Sequence, residues 1–304
     1  MHPLHSRIVE KARSLGFVAA GFTGPGRPLF FDRFTAWLAE GKNADMAWLR
    51  RNLGVRENPA KILRNCRAVI SLAYPYPARK PETVDGFSVA RYANPVAEDY
   101  HTRLKRLCSE LVSLIKENDP GSRNRICVDS APLLERSMAA AAGIGFIGKN
   151  NLLIIPDHGS YLYLAEILTT AAIPLPSPDP LSNLCGACSL CLDACPTGAL
   201  ERPFAINASR CLSYLTVEHK RDVGADLEPT LGKCFFGCDR CQEVCPFNRQ
   251  SPASEVVMPS TDGFLGMDEE TFERDFGRTA FARTGLEKLK GNIRAARAPD
   301  GKTL

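Results

Sequence analysis

No stretch of this chain is long and apolar enough to cross a bilayer. The most apolar run, LYLAEILTTAAIPLP, is interrupted by Glu166 and ends in prolines, short of the roughly 20 apolar residues that a spanning helix needs. A secretory leader is not visible either. In MHPLHSRIVEKARSLGFVAAGF the charges at Arg7, Glu10, Lys11 and Arg13 precede only the short run FVAAGF, too brief for the core of a signal peptide. Strong charge of either sign is missing: the net charge is +4, which permits a polyanionic partner without requiring one. There is no low-complexity block, and no internal repeat beyond two cysteine runs. These absences predict a soluble, cytoplasmic protein with no membrane partner. Its 304 residues suffice for two domains with a sizeable core.

Cysteine is what the chain has in excess. Of 12 cysteines, nine lie between positions 185 and 245, while Cys66, Cys108 and Cys127 are scattered in apolar surroundings. A secreted disulfide scaffold would be smaller and would carry a leader, so the cluster reads as metal ligands and the scattered three as small core residues. The first run is Cys185, Cys188, Cys191, Cys195 and Pro196; the second is Cys234, Cys238, Cys241, Cys245 and Pro246. The first matches bacterial [4Fe–4S] spacing in full, and the second matches except for a first gap of three residues. Three thiolates on one tight turn reach three corners of a cubane, and the fourth points to a neighbouring cluster. Zinc needs only four ligands per site in paired CxxC knuckles, which suits this pattern poorly. Two cubanes take eight thiolates. The crossed pattern gives Cys185, Cys188, Cys191 and Cys245 to one cluster and Cys195, Cys238 and Cys241 to the other. The last ligand is Cys234 or Cys211, with spacing leaning to Cys234 by symmetry.

Before the cysteines, helical and strand patterns alternate. LHSRIVEKARSLG, PLFFDRFTAWLAEG, HTRLKRLCSELVSLIKEN and LLERSMAAAAG carry helical periodicity. FVAAGF, RAVISLAY, NRICVD, LLIIP and YLYLAEILT read as strands, the last two as a final pair, and PYPARKPETVDG as a loop. This predicts an α/β domain with a sheet between helices over 1–172. IPLPSPDPLSN reads as a linker. Residues 173–250 would be a domain that needs metal to fold, because it has little hydrocarbon to bury. Residues 251–304 read as a short basic helical tail.

VDSAPLLERSMAAAAGIGFIGKNN, GSYLYLAEILT, RCLSYLTVEHK and FGCDRCQEVCPFN together resemble the epoxyqueuosine reductases. These are cobalamin-dependent iron–sulfur oxidoreductases that complete queuosine in tRNA. The resemblance runs over most of the chain. It implies a cobalamin-binding α/β domain like that of reductive dehalogenases, then a ferredoxin-like domain with two [4Fe–4S] clusters. By the match to RCLSYLT, Cys211 becomes the fourth ligand of the second cluster, with Cys195, Cys238 and Cys241; a cysteine at the position of Cys234 is not usual in the family. Phe146 and Phe247 stand where the family often has tryptophan. Longer members add helical repeats after the clusters, for which this chain has no room.

The resemblance also implies roles. The reaction is a two-electron deoxygenation in which the cofactor carries the hard step and the protein positions it and supplies protons. Asp129 of VDSAP is the implied general acid, and to donate at neutral pH it should be raised by burial. Read alone, Asp129 is equally suited to cap the helix that follows. Arg56, Tyr92, Asp129, Ser213, Cys238 and Asp239 are the implied cobalamin neighbours. The chain has no D-x-H-x-x-G stretch, so cobalamin is expected without a protein histidine on its cobalt. His219 and Lys220 are candidate contacts to the tRNA anticodon loop. From Arg278 onward there are seven Lys or Arg against two acids, a composition that suits phosphate contacts. A low-potential donor, flavodoxin- or ferredoxin-like, and a monomeric state are also expected. Two other functions compete: a small-molecule cobalamin reductase of the dehalogenase kind, which predicts a twin-arginine leader, and a plain electron-transfer ferredoxin module, which predicts clusters without cobalt.

Overall fold

The strand Leu162–Thr169 is central to a four-stranded sheet ordered Ala19–Thr23, Ala68–Pro75, Leu162–Thr169, Asn124–Cys127. The computed structural model describes residues 3–95, 98–175, 181–248 and 254–298. By its contacts the chain divides into two units: residues 1–41, 47–75 and 101–188, and residues 42–46, 76–100 and 189–304. Part of the expected linker, 176–180, lies outside the described residues, as do 249–253 and 299–304. Among the described residues no helix is long and apolar enough to cross a membrane.

Every pairing in the first unit's main sheet is antiparallel. The alternation of helix and strand patterns therefore does not make a parallel sheet here. Side chains alternate between the faces. One face carries Val69, Leu168 and Cys127 against Leu133 and Met138, and Ala73 against Ala139, Ala140 and Ile144. The helix Glu135–Ala141 covers that face closely: a Cβ on Gly21 would fall 2.4 Å from the carbonyl oxygen of Ala142. The long helix Tyr100–Asn118 buries Leu104, Leu107, Cys108, Leu111 and Ile115, a stripe at helical spacing. LLIIP and YLYLAEILT are not partners. Leu153–Ile154 pairs with Phe146–Ile147, because the turn through Asn151 closes locally, whereas Leu162–Thr169 joins the main sheet.

In the second unit a sheet runs Cys234–Phe236, Ser88–Val89, Lys80–Thr83, Ser254–Met258. The segment expected to be a plain loop, 75–86, thus contains a strand, which pairs in parallel with Ser254–Met258 far along the sequence. The core joins Phe235 and Phe236 to Phe264, Phe272, Phe276, Phe281, Leu286, Leu289 and Ile293. The basic segment is therefore an integral part of this unit: the helix Leu286–Ala296 buries its apolar stripe there. The unit boundaries also cut across the expected limits 1–172, 173–250 and 251–304, since 42–46 and 76–100 cluster with 189–304.

Candidate iron–sulfur centre and active site

The two cysteine runs fold alike. Each places a short helix, Leu190–Asp193 or Arg240–Glu243, between its second and last cysteines, with Cys191 or Cys241 inside it. The first run falls in both units: Cys185 and Cys188 close the first, and Cys191 and Cys195 belong to the second. In the first unit, Lys149 of the GKN stretch donates to the carbonyls of Gly186 and Cys188 at 2.6 and 2.7 Å. Asn183 accepts from the Cys185 N–H at 3.0 Å. The lysine thus fixes the turn that presents these two thiols.

In the second unit, thiols crowd one another. Cys238 is pushed up to about 12 by burial and by neighbouring Cys234 and Cys211. Cys241 rises for the same reason, with Cys238, Cys211, Asp239 and Cys191 nearby. Burial raises Cys211 against the N–H groups of Tyr214 and Ser213, and Cys195 adds to the rise. At Cys195 burial is outweighed by N–H groups of Leu200, Thr197 and Ala199 and by the Thr197 hydroxyl, so its thiol is lowered. Cys211 and Cys234 both neighbour Cys238, and Cys211 also neighbours Cys195 and Cys241, an all-sulfur set that fits iron–sulfur ligation. Among the described residues no three acidic, cysteine or histidine side chains close to the spacing of a single metal ion. Thiolates around one zinc would stand about 3.8 Å apart; a cubane, with its four irons at alternate corners, takes ligands further apart. Cys234 also lies beside Cys238, and its Sγ is 3.5 Å from the Gly237 carbonyl. It lines a cavity of about 190 Å³ with Cys238, Lys80, Ser88, Asp239 and Glu243.

The other second-unit candidates gather beside Cys238. Gly237, at φ +71°, lets the chain turn there, and a Cβ on it would meet Ala90 at 2.5 Å and Tyr92 at 3.1 Å. Its N–H donates to the Thr216 hydroxyl at 2.9 Å, one turn beyond Ser213. Tyr92 is partly buried and tilts against Phe236 at 6.2 Å. Asp239 is 3% exposed and accepts the Arg91 N–H at 2.7 Å. Burial pushes its carboxyl up to about 6, against the pull of that N–H and of Lys80. His219 Nδ1 lies 3.1 Å from Asp45 Oδ2, which also accepts from the Tyr214 hydroxyl at 2.9 Å. Lys220 is exposed. In the basic helical segment Arg283 pairs with Glu218, Lys290 with Glu287 and Arg297 with Asp262. Much of its charge is thus already matched within the chain.

In the first unit Asp129 follows the strand Asn124–Cys127 at φ +55°. The Ser130 N–H donates to the Val128 carbonyl at 2.6 Å, which closes a three-residue turn of the rare positive-φ kind. The helix begins only at Glu135, with Leu134 at its cap position. Asp129 is therefore not the helix cap. Its carboxylate lies 3.2 Å from His101 Nε2. The burial expected for an acid is not found either: the Asp129 side chain keeps 43% of its exposure. The desolvated carboxyls are its neighbours. The Asp129 N–H donates to Glu135 Oε1 at 2.6 Å. Glu135 is pushed up to about 8 by burial and the Asp129 charge. Glu166, fully buried, is raised by burial and by Glu135. Arg56 is 8% exposed, with its guanidinium 5.9 Å from the Phe34 ring centroid and its Nε buried without a hydrogen-bond partner. Sequence reasoning passed over Glu135 and Glu166 as functional groups, although Glu166 was the one charge inside the most apolar run. Of the three scattered cysteines, Cys108 and Cys127 are buried and pushed up to about 12 by that burial.

Paired Cys-rich turns joined to an antiparallel sheet domain define a double-cluster iron–sulfur oxidoreductase. A family model described as a 4Fe-4S double cluster binding domain matches residues 184–248, and one described as epoxyqueuosine reductase QueG, DUF1730, matches residues 56–130. The epoxyqueuosine reductase of Cyclobacterium marinum is 34% identical over 302 residues, covering 95% of this chain and 96% of its own. A crystal structure of epoxyqueuosine reductase with an epoxyqueuosine-modified tRNA-Tyr stem loop is similar at TM-score 0.86 and 30% identity, over 96% of this chain and 80% of that one. Bacillus subtilis epoxyqueuosine reductase, in a structure with its catalytic aspartate loop swung out of the active site, is similar at TM-score 0.84 and 29% identity, over the same shares. The chain belongs to the epoxyqueuosine reductase family.

Proposed function

We infer that this protein reduces epoxyqueuosine to queuosine at the wobble position of tRNA, with cobalamin fed by two [4Fe–4S] clusters. The observation that carries the reading is the likeness, over nearly the whole chain, to an epoxyqueuosine reductase that holds an epoxyqueuosine-modified stem loop. The net change takes two electrons and two protons: the epoxide oxygen leaves as water and an alkene remains.

Cys185, Cys188, Cys191 and Cys245 would hold one cluster, and Cys195, Cys211, Cys238 and Cys241 the other. The links of Cys211 to Cys195, Cys238 and Cys241 support that choice, and Cys234, beside Cys238 and against the Gly237 carbonyl, would be left outside it. Cobalamin, when bound, would supply low-valent reducing chemistry at the epoxide. The buried, unpartnered Nε of Arg56 suits an acceptor on that cofactor, and Tyr92, Ser213 and Asp239 are its proposed neighbours in the second unit. Asp129 would protonate the departing oxygen. His101 at 3.2 Å orients its carboxyl, and Glu135, raised to about 8, limits the negative charge behind it. His219, braced by Asp45, and exposed Lys220 would meet the anticodon loop, whose target base is splayed out to be reached. The electron donor would be flavodoxin- or ferredoxin-like, the protein a monomer, and the setting the cytoplasm.

Anaerobically reconstituted protein supplied with a low-potential reductant should convert epoxyqueuosine in tRNA to queuosine, read by nucleoside mass spectrometry. Full iron and cobalamin loading with no conversion would defeat the proposal.

A further inference from the structure

Glu166 sits on the central strand of the first unit's sheet, opposite Ser71 on one side and Cys127 on the other. Residues opposite one another in antiparallel strands share a face, so this row faces the helix that begins at Glu135. Glu166 and Ser71 are 0% exposed, and neither Glu166 oxygen nor the Ser71 hydroxyl has a hydrogen-bond partner. A buried polar group left in that state calls for an explanation. The explanation is Glu135, the carboxyl whose charge acts most on Glu166. From there the contacts lead outward, through the 2.6 Å bond from the Asp129 N–H to Glu135, to the turn that carries Asp129.

That turn is strained. Asp129 holds φ +55° inside an i to i+2 hydrogen bond, and such conformations persist only where the surroundings over-determine them. The geometry points to Glu135 as a positioning residue: its carboxyl, seated against Glu166, holds the Asp129 turn in the conformation from which Asp129 delivers its proton. This rests on the reading of Asp129 as the acid. Glu166 then acts structurally, its buried carboxyl lying behind Glu135 while a Glu135 oxygen stays directed at the Asp129 amide. The groups that face Glu135 are Asp129, Glu166 and Arg136, with Arg56 and the Cys127 thiol. His101 faces Asp129 from the other side.

The test compares Glu135→Ala, Glu135→Asp and Glu135→Gln in the full chain with both cofactors loaded. Hydrogen exchange of the amides of 128–130 reads the turn directly, and kcat and KM for epoxyqueuosine tRNA read its consequence. Aspartate keeps the acid but is one methylene too short to reach the amide, and it covers the case that alanine does not fold. Both should speed exchange about tenfold, the scale of one lost hydrogen bond to such a carboxyl. Both should lower kcat with KM little changed, and glutamine, which keeps an acceptor oxygen, should restore both readouts. Unchanged exchange in the alanine and aspartate variants overturns the latch, whatever the turnover. Faster exchange with full kcat overturns its link to catalysis. Asp129→Asn, assayed in parallel, then identifies the fault: an inactive variant leaves the acid reading standing, and an active one removes it.

Discussion

Glu166 in the first unit and Asp239 in the second are both carboxyls with 3% exposure or less, and their surroundings differ. Asp239 has an N–H from Arg91 at 2.7 Å and the cation of Lys80 nearby, itself 2.5 Å from Glu243. Its rise stops at about 6. Glu166 has only another carboxyl, and burial and that neighbour raise it further. A buried acid with a donor and a cation can be a fixed anion at neutral pH, while one stacked on like groups keeps its proton. The fixed anion lies next to Cys238, a proposed ligand, and the protonated pair lies behind the proposed proton donor.

The comparison can be broken at four places. The largest effect belongs to Asp129→Asn. Turnover should fall about a thousandfold, within the range of general acid catalysis, with iron and cobalamin content retained; near-normal turnover removes Asp129 from the chemistry. Next is Cys211→Ser, which should leave about four of the eight irons of two cubanes, whereas Cys234→Ser keeps them all. The opposite pattern of iron analysis would move the ligand to Cys234. Lys80→Met leaves Asp239 and Glu243 without their shared cation, and urea unfolding should show a loss of about 3 kcal/mol; an unaltered midpoint contradicts the offset. The smallest effect is at Glu166→Gln. Burial and Glu135 hold Glu166 well above the ordinary glutamate range, so the folded protein binds more protons than the unfolded chain above that range and wild-type stability should fall as pH rises through it. The glutamine variant should fall less, by about 1–2 kcal/mol after allowance for solvent screening. Equal slopes in urea titrations at pH 5 and 8.5 would show that Glu166 does not hold its proton.

Local pattern carried much of this architecture. RAVISLAY and YLYLAEILT are strands, and the apolar stripe of HTRLKRLCSELVSLIKEN is a helix, because period and burial agree there. The antiparallel order was not legible, since strand direction depends on pairing across the chain. For the same reason the strand Lys80–Thr83 read as a loop: its proline and charges argue locally against a strand, and the partner that makes it one, Ser254–Met258, lies far away in sequence. The double-cluster domain was visible in the cysteine spacing alone, whereas spacing leaves the choice between Cys211 and Cys234 open. Asp129 stood out by family likeness, but its turn did not. A positive φ on an aspartate has no sequence marker comparable to glycine, so a helix cap was an equal reading. Glu166 was visible as a charge within an apolar run, but only the sheet register brought it to Glu135.

The most direct test is in cells. A strain lacking this chain, complemented with wild-type protein or with Asp129→Asn, should be compared by mass spectrometry of tRNA nucleosides. The account predicts queuosine with the wild type and accumulated epoxyqueuosine with the variant. Queuosine at the same level with no complementing chain at all would contradict it.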